Sequence, residues 1–178
     1  MSSGGGRLTK RLKDLCETGF IAEYTPWGKS QGEYYKIIDE FCLFYLKWCR
    51  IRKGQKFTFQ HWIQISQRPE YYAWAGYAFE AVVQKHIDEI LRALKISNAC
   101  SYGSWQFQAK NKDEVGAQID LIIDRMDNSI NLCEIKNTQR PFQIDKQYAA
   151  KIKKNVELFK EKTKTTKQIF WSFIPFTH

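Results

Sequence analysis

Asp120, Glu134 and Lys136 stand inside two runs apolar enough to be buried strands, GAQIDLIID at 116–124 and INLCEIKN at 130–137. A charge removed from water is costly unless it is paired or bound to a metal, so three of them in this setting need a chemical reason. Two carboxylates on neighbouring strands offer hard oxygen ligands to a divalent cation. A lysine one pleat beyond the second can steady an attacking hydroxide or the charge developing on a phosphorane. The chemistry such a set performs is metal-assisted hydrolysis of a phosphodiester. The alternative is a structural Glu134–Lys136 ion pair on a half-exposed strand.

Both runs alternate apolar and polar residues at a period of two, and Asp127-Asn128-Ser129 between them is turn-forming, so they read as a β-hairpin. Strict alternation puts Ala117, Ile119, Leu121 and Ile123 on one face and Gln118, Asp120, Ile122 and Asp124 on the other. It also places Glu134 and Lys136 on the face of Ile130 and Leu132, roughly 6.5–7 Å apart along the strand. A further carboxylate comes from a helix expected over 76–95. On a wheel of 100° per residue, Val83, Ile87, Leu91 and Leu94 fall within about 60° of Glu80. A lone acid on an apolar stripe needs a partner: either a metal site shared with the hairpin carboxylates, or a hydrogen bond at the stripe's edge.

The remaining elements frame this set. Leu8, Leu12 and Leu15 follow helical spacing up to Gly19, with Arg7, Lys10, Arg11 and Asp14 on another face. A hairpin, FIAEYTPW to EYYKI, follows. Asp39 is a candidate N-cap for EFCLFYLKWCRI, a segment apolar nearly all round and therefore expected to be buried, in this chain or by a partner. The basic stretch RIRKGQK at 50–56 is the expected linker, dividing domains at 1–50 and 51–178. The segment 57–74 reads as irregular and aromatic-rich, with Trp62 and Trp74 as core residues. Residues 101–110 are expected to form a strand. Ile144 to about Lys162 is expected to be a helix with Tyr148, Ile152, Val156 and Phe159 on its apolar stripe, and QIFWSFI closes as a buried strand. Lys151, Lys153 and Lys154 on that helix, like Lys10 and Arg11 on the first, either meet phosphates or are simply solvated.

The spacing of Asp120 and Glu134-Ile135-Lys136 resembles the PD-(D/E)xK motif of the restriction-endonuclease-like nucleases. The expected order αβββαβ, with Glu80 on the first helix, resembles the core of that fold, an α/β (α+β) class. YYKIIDEFCLFYLKW, WAGYAFE and GAQIDLIIDR…INLCEIKN further resemble the C-terminal part of a family of prokaryotic AAA-type ATPases, in which a winged helix precedes a nuclease-like domain. The helix and hairpin of 7–38 would be the rear part of that winged helix, the alternative being a helix–hairpin packed on the rest of the protein. The resemblance implies Mg²⁺ or Mn²⁺ held by Asp120, Glu134 and the Ile135 carbonyl, with Glu80 completing the set and Lys136 orienting water. It implies DNA as partner, and an ATPase domain or subunit as a further one. Gln147 and Tyr148 would occupy the helix start where related nucleases place a polar active-site residue. No GxxxxGK[ST] occurs, so ATP hydrolysis is not assigned, and the chain is expected to be a fragment or stand-alone derivative of such an ATPase.

Composition bounds these readings. The chain has 178 residues, 43% hydrophobic and 15% aromatic, which excludes a disordered protein. A net charge of +9 favours an acidic partner such as nucleic acid. No apolar run approaches the ~20 residues that span a bilayer, so no membrane is expected. The five cysteines form no CxxC pair, which fits reduced thiols in the cytoplasm. Two functions fit: a metal-dependent deoxyribonuclease, or a catalytically inactive DNA-binding or assembly module that retains the acidic residues.

Overall fold

The structure, a computed structural model, describes residues 4–29, 32–50, 58–96, 101–109, 111, 114–138 and 141–177. Contacts divide the chain into two compact units. One comprises Met1–Tyr24 with Glu33–His86, the other Thr25–Gly32 with Ile87–His178. The stretch that carries the expected boundary, 51–57, lies outside the described residues.

In the first unit, α1 (Gly4–Glu17) ends two residues before Gly19, whose φ of 76° only glycine adopts cheaply. Strands β1 (Ile21–Tyr24) and β2 (Tyr34–Ile37) pair antiparallel from Ile21↔Ile37 to Tyr24↔Tyr34. Helix α2 (Glu40–Phe44) starts where expected, because the Cys42 N–H donates to Asp39 Oδ1 at 2.6 Å, and a π-helical turn, Tyr45–Cys49, continues it. The chain itself does not bury this segment. No residue of α2 or the π turn is fully buried, and Phe41 is 70% exposed.

The stretch read as irregular is helical as well. Thr58 caps α3 (Phe59–Ser66), accepting from the His61 N–H, and Pro69 opens α4 (Pro69–Lys85) at the first helical position, where its missing N–H costs nothing. Aromatic side chains there hid the helix because they pack on one another rather than on a stripe: Trp62 lies 5.5 Å from Tyr71, and Trp74 lies 5.9 Å from Trp48. The long helix expected to Lys95 breaks at His86, which leaves helical dihedrals, and α5 (Ile87–Ala93) begins the second unit.

The second unit is built on a four-stranded mixed sheet in the order β3-β4-β5-β6: Ser101–Phe107, Ala117–Asp124, Ser129–Thr138 and Gln168–Thr177. The pairs β3/β4 and β4/β5 are antiparallel. A turn joins β4 to β5, with Asn128 at φ 59° and the Arg125 N–H donating to the Ser129 carbonyl. Strand β6 runs parallel to β5 along its whole length, from Ser129↔Gln168 to Thr138↔Thr177, which requires a crossover. Helix α6 (Lys146–Thr163) supplies it, capped by Asp145 accepting from the Tyr148 N–H at 2.7 Å. The chain is thus a mixed α/β protein.

Strict alternation fails in β4. Gly103 faces Ile122 and Trp105 faces Ile119, so two residues of β3 span three of β4, and an extra residue is accommodated at Asp120–Leu121. Such a bulge inverts the alternation on one side of it. Ile119 therefore joins Ile122 rather than opposing it. Both lie in one core with Trp105, Ile130, Leu132 and Phe159, and Trp27, Val156, Ile169 and Trp171 pack around it. Phe159 is fully buried, its ring 5.4 Å from Trp27 and 5.2 Å from Trp105. The Trp27 N–H donates to the Ser104 carbonyl at 2.8 Å, tying the 25–29 segment to β3.

Phe159→Ala should cost about 3–5 kcal/mol of unfolding free energy, since it leaves a cavity between two large rings that cannot collapse. Urea denaturation followed by tryptophan fluorescence measures it. A loss below about 1 kcal/mol would mean that α6 is not anchored through this ring.

Candidate active site

The bulge decides where the acidic residues lie. Strands β4 and β5 pair from Asp124↔Ile130 as far as Leu121↔Cys133 and then part, while β4 continues along β3 to Ala117↔Phe107. Asp120 stands at the fork. Its Oδ2 accepts the Ile135 N–H at 3.0 Å, so a side chain takes over as ladder partner where the backbone of β4 has turned away. In an extended strand a residue's N–H and C=O point to the same edge, so the Ile135 carbonyl also faces the Asp120 side.

One residue before Ile135, the side chain of Glu134 is 10% exposed and its Oε1 meets two partners. Lys136 Nζ lies 2.6 Å away and the Tyr148 hydroxyl donates at 2.8 Å. A carboxylate this deep in a sheet needs such partners in place of the water it has lost. Tyr148 comes from the first turn of α6. Its ring is seated among Phe142 at 5.1 Å and Phe173 at 6.3 Å. Two ammonium groups lie against that ring, Lys136 at 5.8 Å and Lys151 at 5.7 Å from its centroid.

The electrostatics follow from burial. Burial first, then the hydrogen bond to Glu134, then the charges of Glu134 and Asp120, push the Tyr148 phenol above the ordinary tyrosine range. It therefore remains a proton donor to Glu134 at any physiological pH. Burial, with Asp120's charge second, pushes the Cys133 thiol up to about 12, so it fills space rather than acting as a nucleophile. Cys16, Cys42 and Cys49 are also free thiols; Cys100 lies outside the described residues.

Of the residues expected at a site, the fork brings together Asp120, Glu134, Ile135 and Lys136. Glu80 lies on α4 in the other unit, with Lys36 Nζ at 3.7 Å. Lys10 and Arg11 are exposed on α1, and Lys151, Lys153 and Lys154 on α6. Among the described residues no group of three or more His, Cys, Asp or Glu could hold a metal ion.

The chain matches no protein-family model, no curated protein and no solved structure.

Sequence reasoning assigned Tyr148 to an apolar stripe and only loosely to a polar role. The structure gives it both, with its ring in the aromatic cluster and its hydroxyl on Glu134. The available signal was its place as the stripe's one hydroxylated member, on the turn nearest the helix N-terminus. Lys151 was one of several lysines, and nothing in the spacing singled it out.

A raised phenol pKa has a definite sign in stability. Below about pH 10 both folded and unfolded phenols are protonated and the hydrogen bond contributes fully. Above it the unfolded chain loses its proton first, so that contribution declines as pH rises. Tyr148→Phe should be less stable than wild type by about 1–2 kcal/mol at pH 7 and should lose less stability between pH 9 and about 11. Thermal melts across that range check both. Parallel curves would mean that the hydroxyl contributes nothing to holding Glu134.

Proposed function

We propose that the chain is a divalent-metal-dependent DNA phosphodiesterase with a PD-(D/E)xK-type site on a restriction-endonuclease-like core. The observation that carries this reading is the fork: Asp120, the Ile135 backbone, Glu134 and Lys136 meet where β4 leaves β5. Strand order β3-β4-β5-β6, with only the last pair parallel and α6 as its crossover, supports it. So does the net charge of +9. The exposed Lys10 and Arg11 of α1, ahead of the β1–β2 hairpin, would be DNA-contacting residues of the first unit in the manner of a partial winged helix. An ATPase domain or subunit would be the companion of such a chain.

The donor set suits a hard cation. Two carboxylates and one backbone carbonyl are all oxygen, and few protein ligands are what Mg²⁺ prefers, since it retains several waters. Asp120, Glu134 and the Ile135 carbonyl would hold Mg²⁺ or Mn²⁺. Bound there, the cation would polarise the phosphodiester and lower the pKa of water. The chain's own groups do the rest. Tyr148 holds Glu134 Oε1 in place, which fixes the direction of the carboxylate. Lys136 presents a positive charge beside that oxygen, where it can orient water and offset negative charge developing on phosphorus.

A second reading has its own support. Lys136 and Tyr148 already satisfy Glu134 Oε1 without a metal. On that reading the acids are structural, and the chain is an inactive DNA-binding or assembly module.

Asp120→Asn separates the two, because its amide oxygen can still accept the Ile135 N–H while its charge is gone. On the nuclease reading the variant should melt within about 3 °C of wild type in EDTA, a difference of about 1 kcal/mol. It should lack the stabilisation that Mg²⁺ or Mn²⁺ confers on wild type, which grows with the logarithm of free metal. It should also cleave neither supercoiled, linear nor single-stranded DNA. A wild type whose melting ignores both metals and whose DNA stays intact would leave the binding module standing.

A further inference from the structure

The two carboxylates of the fork create a difficulty for any phosphodiester approaching it. Each repels the phosphate, and Lys136 is already committed to Glu134 at 2.6 Å. At the first turn of α6 the Tyr148 N–H is taken by the Asp145 carboxylate, whose own negative charge opposes a phosphate there. What lies beside the site uncommitted is Lys151. One turn of α6 beyond Tyr148, it is exposed and rests against the same ring as Lys136, and among the described residues no carboxylate pairs with it. With both ammonium groups within 5.8 Å of one ring centroid, they stand close enough to address neighbouring phosphates of one strand. Lys153 and Lys154 share the exposure but have no contact with that ring.

We propose that Lys151, seated on the Tyr148 ring, is the phosphate-binding residue beside the site and holds the strand by the phosphate next to the one at the fork. The ring restricts the lysine's freedom, so less entropy is lost when it meets a phosphate, and it sets the lysine's position relative to Glu134. Lys151 is thus a positioning residue, distinct from the other lysines of α6. The assignment rests on the nucleic-acid reading of the fork and deepens it.

The test compares Lys151→Gln, Lys153→Gln and Lys154→Gln in the full chain. It measures binding of a fluorescent single-stranded and a duplex DNA oligonucleotide in EDTA, across a salt series. Lys151→Gln should weaken binding roughly three- to tenfold near 0.1 M salt and reduce the slope of log affinity against log salt by about one. The other two should each change affinity less than about twofold. Lys151→Arg should restore binding, and all variants should melt with wild type, which a merely structural role for Lys151 would not predict. Three lysine variants with equal effects would overturn the assignment, and so would a wild type that binds neither oligonucleotide. Because no cleavage is read, the two proposals fail separately. Selective loss in Lys151→Gln from a protein that never cuts DNA supports the phosphate subsite and removes the nuclease. A cutting enzyme indifferent to Lys151 does the reverse.

Discussion

Phe159, closed in between Trp27 and Trp105, is the contact on which the second unit turns. It fixes α6 on the face of the sheet that also carries Ile130, Leu132, Glu134 and Lys136 of β5. Eleven residues upstream on the same helix, about 16 Å along its axis, Tyr148 then has one position available, and its hydroxyl reaches Glu134. Lys151 follows from the same anchoring. An apolar contact remote from the acids thus sets the geometry of the polar ones, because a helix transmits position along its length with little slack.

The bulge in β4 is the second determinant, and it works locally. A regular β4 would have stayed paired with β5, and the Ile135 N–H and carbonyl would have been consumed by the ladder. With one extra residue at Asp120–Leu121, the strand leaves β5 and a carboxylate fills the vacated pairing position. The hydrogen bond satisfies a buried amide and holds Asp120 beside Glu134 at once. Its like charge is tolerated because Lys136 and Tyr148 compensate Glu134 from the other side.

Much of this was legible in the sequence where one physical rule dominated. The β4–β5 hairpin was plain from period-two alternation and its Asp-Asn-Ser turn. The cap at Asp39 and the stop near Gly19 follow from local hydrogen bonding and positive φ. Asp120, Glu134 and Lys136 could be named because charges inside apolar strands are conspicuous. The rest depended on information that no window of sequence contains. A single inserted residue inverted the face of Ile119, and alternation cannot register a bulge whose cause is pairing with another strand. Helix α3 and the start of α4 escaped notice because their aromatic residues pack as a cluster rather than a stripe. The exposed Phe41 was not foreseen because an apolar sequence states what a helix would bury, not what is there to cover it. Lys151 differs from Lys153 and Lys154 only by the ring it meets.

The parallel pairing of β5 with β6 has a consequence for how the chain comes to be folded. The β4–β5 hairpin closes over a turn of four residues and can form early, within microseconds for such local contacts. Strand β6 cannot join until the crossover through α6 is complete, which makes its contacts non-local and slow. In that interval Glu134 lies on an unshielded strand in contact with water, with neither the Tyr148 hydroxyl nor the neighbouring strand in place. The docking of 146–177 is therefore the event that withdraws this carboxylate from solvent. Until then the molecule holds a fully hydrated pair of acids and an uncovered apolar sheet face, the state most exposed to association with other incompletely folded chains.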